Sequence, residues 1–270
     1  MRKNRFFLSV LICLLLIGCG DKVTRTELKP ISTVVIGVID TGFSSRAIPT
    51  EVVLEGKNYL EPEGTTEDTY GHGTAVASVI LDLVSDVKLV PLVSTAYDDG
   101  KLTQVDSEVL AQMIVDAVDV YGCHLINISA GLATDVETVR KAIAYAEEKN
   151  VPVIASAGND YHISGQVKYY PAGYDSVLAV GSVGVGGDEI SPFSQRGEWV
   201  DVFAVGEDVT ISLLSGNTRV SEGTSYSAAK VTACAAKVLQ EAKGAMTAEQ
   251  LRRAVMDMAD RMEGGTAYIP

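Results

Sequence analysis

Four polar residues stand at the ends of apolar runs: Asp40, His72, Asn159 and Ser225. Their types are those that acyl transfer needs. A serine hydroxyl is a weak nucleophile at neutral pH and requires a base to take its proton. Imidazole is the side chain whose ordinary pKa suits that task. A carboxylate can orient the ring and stabilise its cation. A side-chain amide and a backbone N–H can together hold the oxyanion that forms. Each residue taken alone has a plainer reading. Asp40 could cap a turn, His72 could be a structural residue at a helix start, and Ser225 could cap the helix that follows it.

The elements expected to position these groups follow from the apolar pattern. Gly223–Ala229 comes after the turn-rich Ser215-Gly216-Asn217 and opens an apolar segment, Val231 to Leu239. That predicts a helix from near Thr224 with Ser225 in its first turn, close to free N–H groups and the positive end of the dipole. Val34–Ile39 is a β-branched run suited to a strand buried on both faces of a parallel sheet, and Asp40 closes it where open α/β sheets place their ligands. Gly71-His72-Gly73 precedes the apolar run Ala75–Val84, read as a helix, and the flanking glycines permit close approach of a partner.

Further strands are predicted at Lys88–Val93, at Leu125–Ile128 leading to the small-residue turn Ser129-Ala130-Gly131, and at Val151–Ser156 before Ala157-Gly158-Asn159. Others are predicted near Val177–Val183, Trp199–Val205 and Val209–Leu214. A helix capped by Asp106 or Ser107 should stop at Gly122. Thr134–Glu137 and Thr247–Gln250 read as capping boxes, for helices ending at Asn150 and at about Asp260. Strands alternating with helices predict an α/β fold, a three-layer αβα sandwich around a mostly parallel sheet. Residues 43–69 read as an irregular acidic loop, with Glu61, Glu63, Glu67 and Asp68 as solvated charges rather than a metal site.

With those strings in view, Val38-Ile39-Asp40-Thr41-Gly42, Gly71-His72-Gly73-Thr74, Ala157-Gly158-Asn159 and Gly223-Thr224-Ser225 resemble the subtilisin-like serine proteases over roughly residues 33–262. The order Asp, His, Ser is also that family's. The resemblance implies Ser225 as nucleophile, His72 as general base and then acid, and Asp40 as its orienting carboxylate. It implies Asn159 and the Ser225 N–H as the oxyanion hole. Ser129, Ala130 and Gly131 would pair with the substrate backbone as an added strand, and Ser156, Ala157 and Gly158 would wall the specificity pocket. Neither a cofactor nor a metal is expected, because the short segment Val84–Lys88 leaves no room for the family's tight calcium loop. Departures are visible. Ala75 stands where a second histidine is usual, Ser227 is a rival hydroxyl in place of alanine, and Ala229 replaces a proline. Leu132, where glycine is common, is expected to narrow the cleft, and the family's final segment looks shortened after the last helix.

The chain has 270 residues, 47% of them hydrophobic, with 25 glycines, enough for one large domain. Residues 1–18 carry a basic start and an apolar run of twelve, Phe6 to Ile17, too short for an ordinary membrane span. With Gly18-Cys19-Gly20 behind it, this resembles a bacterial lipoprotein signal, with lipid on Cys19; an ordinary signal peptide cut slightly later is the alternative. Residues 19–33 would be a polar tether and 34–270 the peptidase domain. The expectation is a monomer held by its lipid to the bacterial cell envelope outside the cytoplasm, acting on a polypeptide substrate. Loss of residues 1–18 leaves 19 basic against 35 acidic residues, a net charge of −16, which argues against nucleic acid or an anionic lipid surface as electrostatic partners. Cys123 and Cys234 are not spaced as a metal site, and two buried thiols are favoured over a disulfide. The rival function is a peptide-binding lipoprotein on the same fold, with little or no activity. A narrower form of the enzyme reading is dedicated processing of one exported peptide.

Overall fold

The computed structural model describes residues 31–269 apart from Asp99, Ala245 and 262–266. The signal, the lipidation site at Cys19 and most of the expected tether therefore lie outside the described residues. The fold itself begins earlier than the tether boundary predicts. Ile31 donates its N–H to the Lys243 carbonyl and packs on the core, so 31–33 are not free linker.

The chain opens with β1 (Val34–Asp40), a single turn of 3-10 helix at Thr50–Val52, β2 (Lys57–Asn58) and α1 (His72–Leu83). Next come β3 (Val87–Val93), the hairpin β4 (Thr95–Asp98) and β5 (Lys101–Gln104), and α2 (Ser107–Asp119). Then follow β6 (Leu125–Ile128), α3 (Glu137–Glu148), β7 (Val153–Ser156), the short α4 (Tyr161–Ser164) and β8 (Leu178–Val183). The last part holds β9 (Val202–Val205), β10 (Val209–Ser212), β11 (Thr218–Ser221), α5 (Thr224–Glu241), α6 (Ala248–Asp257), β12 (Asp260–Arg261) and β13 (Ala267–Ile269).

Among the described residues one sheet runs β12-β13-β9-β8-β7-β6-β1-β3-β2, parallel throughout except where β12 meets β13. Alternating side chains of β1 serve two cores. Val34, Ile36 and Val38 join α1 and α5 on one face, while Ile39 joins α2 and α3 on the other. This is the predicted three-layer sandwich with a mostly parallel sheet. Cys123 and Cys234 are both free thiols and belong to opposite faces, which excludes a bond between them. Burial pushes the Cys123 thiol up to about 12, so it stays protonated and inert. Cys234, favoured as buried, is only half-buried.

Other expectations change. Helix α1 starts at His72 itself, three residues before the apolar run. The box at Thr247–Gln250 forms, with both reciprocal hydrogen bonds. The box at Thr134–Glu137 does not. Val136 takes the N-cap position with no side-chain cap, because Tyr174 holds this turn instead: the Val136 N–H donates to Tyr174 Oη at 3.2 Å. Residues 43–69 hold a helical turn and the edge strand β2 rather than an unbroken loop. The run at Val209–Leu214 is strand only to Ser212, and it pairs antiparallel with β11 outside the main sheet.

Candidate active site

Strand β1 lies between β3 and β6, and the crossovers α1 and α2 leave on opposite faces. The crevice at the carboxyl ends of such strands is where an open sheet admits a ligand. Asp40 ends β1 there, 4% exposed. Its Oδ1 accepts from the Thr41 N–H at 2.8 Å, which fixes the carboxylate. Both oxygens face His72 Nδ1, at 2.7 and 2.9 Å. An ionised carboxylate accepts only, so Nδ1 carries the proton and Nε2 keeps its lone pair.

The loop before α1 delivers His72 to that carboxylate. Gly73 allows the approach: a Cβ there would stand 2.4 Å from the Gly42 carbonyl oxygen. Asp68 organises the same turn. It is 4% exposed, its Oδ1 accepts from the Tyr70 and Gly71 N–H groups, and its Oδ2 accepts from the Thr74 N–H and hydroxyl. Asp68 is thus no solvated charge, contrary to the sequence expectation. Its burial has no local sequence signal beyond the Asp-x-x-Gly spacing of an Asx-type turn. Burial pushes the His72 pKa down, but the Asp40 charge and hydrogen bond, with the Asp68 charge behind them, outweigh it and raise the net value.

Ser225 occupies the first turn of α5 and is 5% exposed. No acceptor among the described residues meets its N–H, which leaves a donor free at the helix N-terminus. The serine lines a pocket of about 350 Å³ with Asn159, and with Ser129, Ala130, Gly131, Ser156 and Gly158. Ala157, expected in the same wall, is fully buried and bonds through its N–H to the Val180 carbonyl. Leu132 pairs with Tyr170 and packs on the α2–α3 core, and it is not part of the pocket lining. Ser227, the rival hydroxyl, is fully buried and donates to the Ala204 carbonyl at 3.0 Å.

Thr224 is a positioning residue that sequence reading missed. Asn159 Oδ1 accepts from both its N–H and its hydroxyl at 2.8 Å, and the Gly158 N–H donates to the same hydroxyl at 3.2 Å. With its carbonyl end held, the Asn159 NH₂ is turned away from Thr224 and remains available as a donor. His72 lines a second cavity of about 600 Å³ with Tyr226, whose ring centroid is 6.3 Å from the imidazole, and with Ala75. No hydrogen bond joins His72 to Ser225 here; such contacts tighten when substrate binds. Among the described residues no cluster of three or more His, Cys, Asp or Glu could hold a metal.

A model of the Subtilase family, Peptidase S8, matches residues 32–268. The chain is 29% identical over 246 residues to a thermophilic serine proteinase of Bacillus sp. (strain AK1), an overlap of 87% of this chain and 58% of that protein. It is 29% identical over 254 residues to Subtilisin DY of Bacillus licheniformis, covering 92% of this chain and 91% of the relative. It thus spans less than two thirds of the first relative and nearly all of the second. Among solved structures, a lanthipeptide protease superposes with TM-score 0.73 at 25% identity, over 84% of this chain and 80% of that one.

Proposed function

Because the chain belongs to the subtilase family of serine endopeptidases, we propose that it cleaves peptide bonds with Ser225 as nucleophile, His72 as base and Asp40 as orienting carboxylate. His72 Nε2 takes the Ser225 proton as the oxygen attacks the scissile carbonyl. The Asn159 NH₂ and the Ser225 N–H receive the developing oxyanion. His72 then gives the proton to the leaving amine, and water releases the acyl-enzyme by the reverse sequence. Ser129–Gly131 would pair with the substrate backbone, while Ser156 and Gly158 wall the side-chain pocket. The observation that carries this reading is the double approach of His72 Nδ1 to the buried Asp40 carboxylate.

The test is covalent labelling by a fluorophosphonate probe. It should vanish in Ser225→Ala and persist in Ser227→Ala, whose hydroxyl is bound to a backbone carbonyl. A peptide-binding protein on the same fold is the second reading, since the pocket beside Ser225 and the Ser129–Gly131 edge would hold a peptide without chemistry. A folded wild-type sample that takes no label decides for it.

We further propose that residues 1–18 are a lipoprotein signal, that Cys19 carries lipid, and that 34–270 is the peptidase domain, held as a monomer to the envelope outside the cytoplasm. Support comes from the basic start, the twelve-residue apolar run and the small residues beside Cys19. Ile31 docks at the C-terminal end of α5, whereas Ser225 opens that helix. The eighteen residues of α5 span roughly 25 Å, so the described chain begins at the far end of that helix from Ser225. Metabolic labelling with an alkyne fatty acid, abolished in Cys19→Ser, is the expected result; equal labelling of both forms rejects it.

A further inference from the structure

His72 does not line the pocket that holds Ser225. It lines the second cavity, of about 600 Å³, beside Tyr226. The floor of that cavity is apolar. Ala75 lies one turn of α1 beyond His72, on the same face, and it is buried, as are Ile211 of β10 and Tyr226. Among the lining residues Arg219 alone holds a permanent charge. It stands directly opposite Ile211 in the β10–β11 ladder, so the two side chains share a face. The next pair, Thr210 and Val220, faces outward and is exposed. Arg219 is itself exposed, and among the described residues no carboxylate lies within ion-pair distance of it. The hairpin that carries it is anchored at two points. The Ser212 N–H donates to Ser78 Oγ of α1 at 3.0 Å, and the Ser44 hydroxyl donates to the Leu214 carbonyl at 2.8 Å.

We propose that this cavity receives the leaving-amine side of the substrate and that Arg219 selects a carboxylate there, from an acidic side chain or from a free C-terminus. The inference rests on Ser225 as nucleophile and His72 as the group that protonates the leaving amine. That proton transfer brings the amine against the imidazole. The chain beyond it then leaves on the imidazole's side, because the acyl half occupies the pocket of Ser129–Gly131 and Gly158. An apolar residue after the scissile bond would cover Ala75, Ile211 and the Tyr226 ring. The residue that follows reaches the hairpin. There the guanidinium of Arg219 offers a planar fork of donors matched to a carboxylate. A lysine in the same place would meet like charge. Because Arg219 is exposed, the preference is modest and weakens with salt.

The test reads the leaving side alone. The full chain is acylated with a peptide thiobenzyl ester, and dipeptide amines compete with water for the acyl-enzyme. The amine nitrogen attacks the ester carbonyl, the new C–N bond forms and the bond to Ser225 Oγ breaks. His72 carries the proton of the amine to that oxygen. The nucleophiles are phenylalanyl-glutamine amide, phenylalanyl-glutamate amide, phenylalanyl-lysine amide and phenylalanyl-glutamine with a free carboxyl. The ratio of aminolysis to hydrolysis should be about fivefold higher for a carboxylate-bearing dipeptide than for the glutamine amide, the upper end for an exposed ion pair. It should be lowest for the lysine amide. Whichever carboxylate is favoured, side-chain or terminal, identifies its source. Arg219→Gln should bring the ratios together, Arg219→Lys should keep part of the preference, and Arg219→Glu should turn it toward lysine. The ratio is taken within one sample, so a variant that acylates slowly is still read. Equal wild-type ratios, no aminolysis by any dipeptide, or a preference unchanged in Arg219→Gln overturns the proposal, while fluorophosphonate labelling of Ser225 leaves the enzyme assignment standing. Absence of both labelling and ester turnover in folded protein removes the Ser225 assignment and this inference with it.

Discussion

Asp40 meets His72 Nδ1 with both carboxylate oxygens, at 2.7 and 2.9 Å, from a position 4% exposed to solvent. The pair sets which ring nitrogen is protonated, and so which one can act as base. An amide at position 40 preserves shape but can present an N–H to Nδ1, and the ring then adopts the other tautomer. Asp40→Asn should therefore fold normally and lose about 10⁴-fold in kcat. Steady-state kinetics on a peptide substrate, with circular dichroism to establish folding, measures both.

The same pair sets the pH dependence. His72 must be neutral to accept the Ser225 proton, and its pKa in the fold is raised despite burial. The acidic limb of kcat/KM should lie above the ordinary histidine value of about 6.5, and it should move down in Asp40→Asn as the opposing charge is lost. Stability follows the opposite sense. Protonated His72 stabilises the fold fully below the unfolded value of about 6.5, and that contribution is lost as pH rises through the higher folded value. With 28% of the side chain exposed, solvent screens much of it. A pH–rate profile beside an NMR titration of the His72 ring checks the direction.

Thr224 and Asn159 act as a unit. Removing the amide in Asn159→Ala should cost about 10²–10³-fold in kcat, the magnitude known for the corresponding amide of subtilisin, a relative. Thr224→Val deletes one of the two donors that hold Asn159 Oδ1 and leaves only the Thr224 N–H to fix the amide. It should lower kcat by roughly tenfold with little change in KM. The loss should shrink once Asn159 is already alanine. Equal losses in the two backgrounds would show that Thr224 acts elsewhere, and a double-mutant cycle reads this directly.

Much of the architecture was legible because its signals are local and strong. The β-branched run ending at Asp40, the strand before Ser129 and the helix opening at Thr224 all lie where the pattern puts them. The two capping-box strings separate what local sequence decides from what it does not. At Thr247 nothing competes and the box forms; at Thr134 a tyrosine 38 residues from Val136 supplies the partner instead. The site residues that went unread, Thr224 and Asp68, share one trait. Each works through hydrogen bonds to segments remote in sequence or across a turn, and at most a weak turn spacing, such as Asp68-x-x-Gly71, hints at them.

Asp68 gives the clearest instance, since its neighbours Glu61 and Glu63 are exposed loop charges while it is 4% exposed. It accepts from three backbone N–H groups and the Thr74 hydroxyl at the start of α1. Thr74 Oγ1 in turn accepts from the Ser44 N–H, so the carboxylate ties the end of β1 to the turn that carries His72. Asp68→Ala would leave these buried donors unmatched, at a cost of about 2–4 kcal/mol. Asp68→Asn keeps one acceptor oxygen and should cost less. Both should also move the acidic limb of kcat/KM downward, because the Asp68 charge adds to the raised pKa of His72. Urea unfolding measures the first effect and the pH–rate profile the second. A variant that loses stability without moving the limb would show that Asp68 holds the turn but leaves His72 electrostatically untouched.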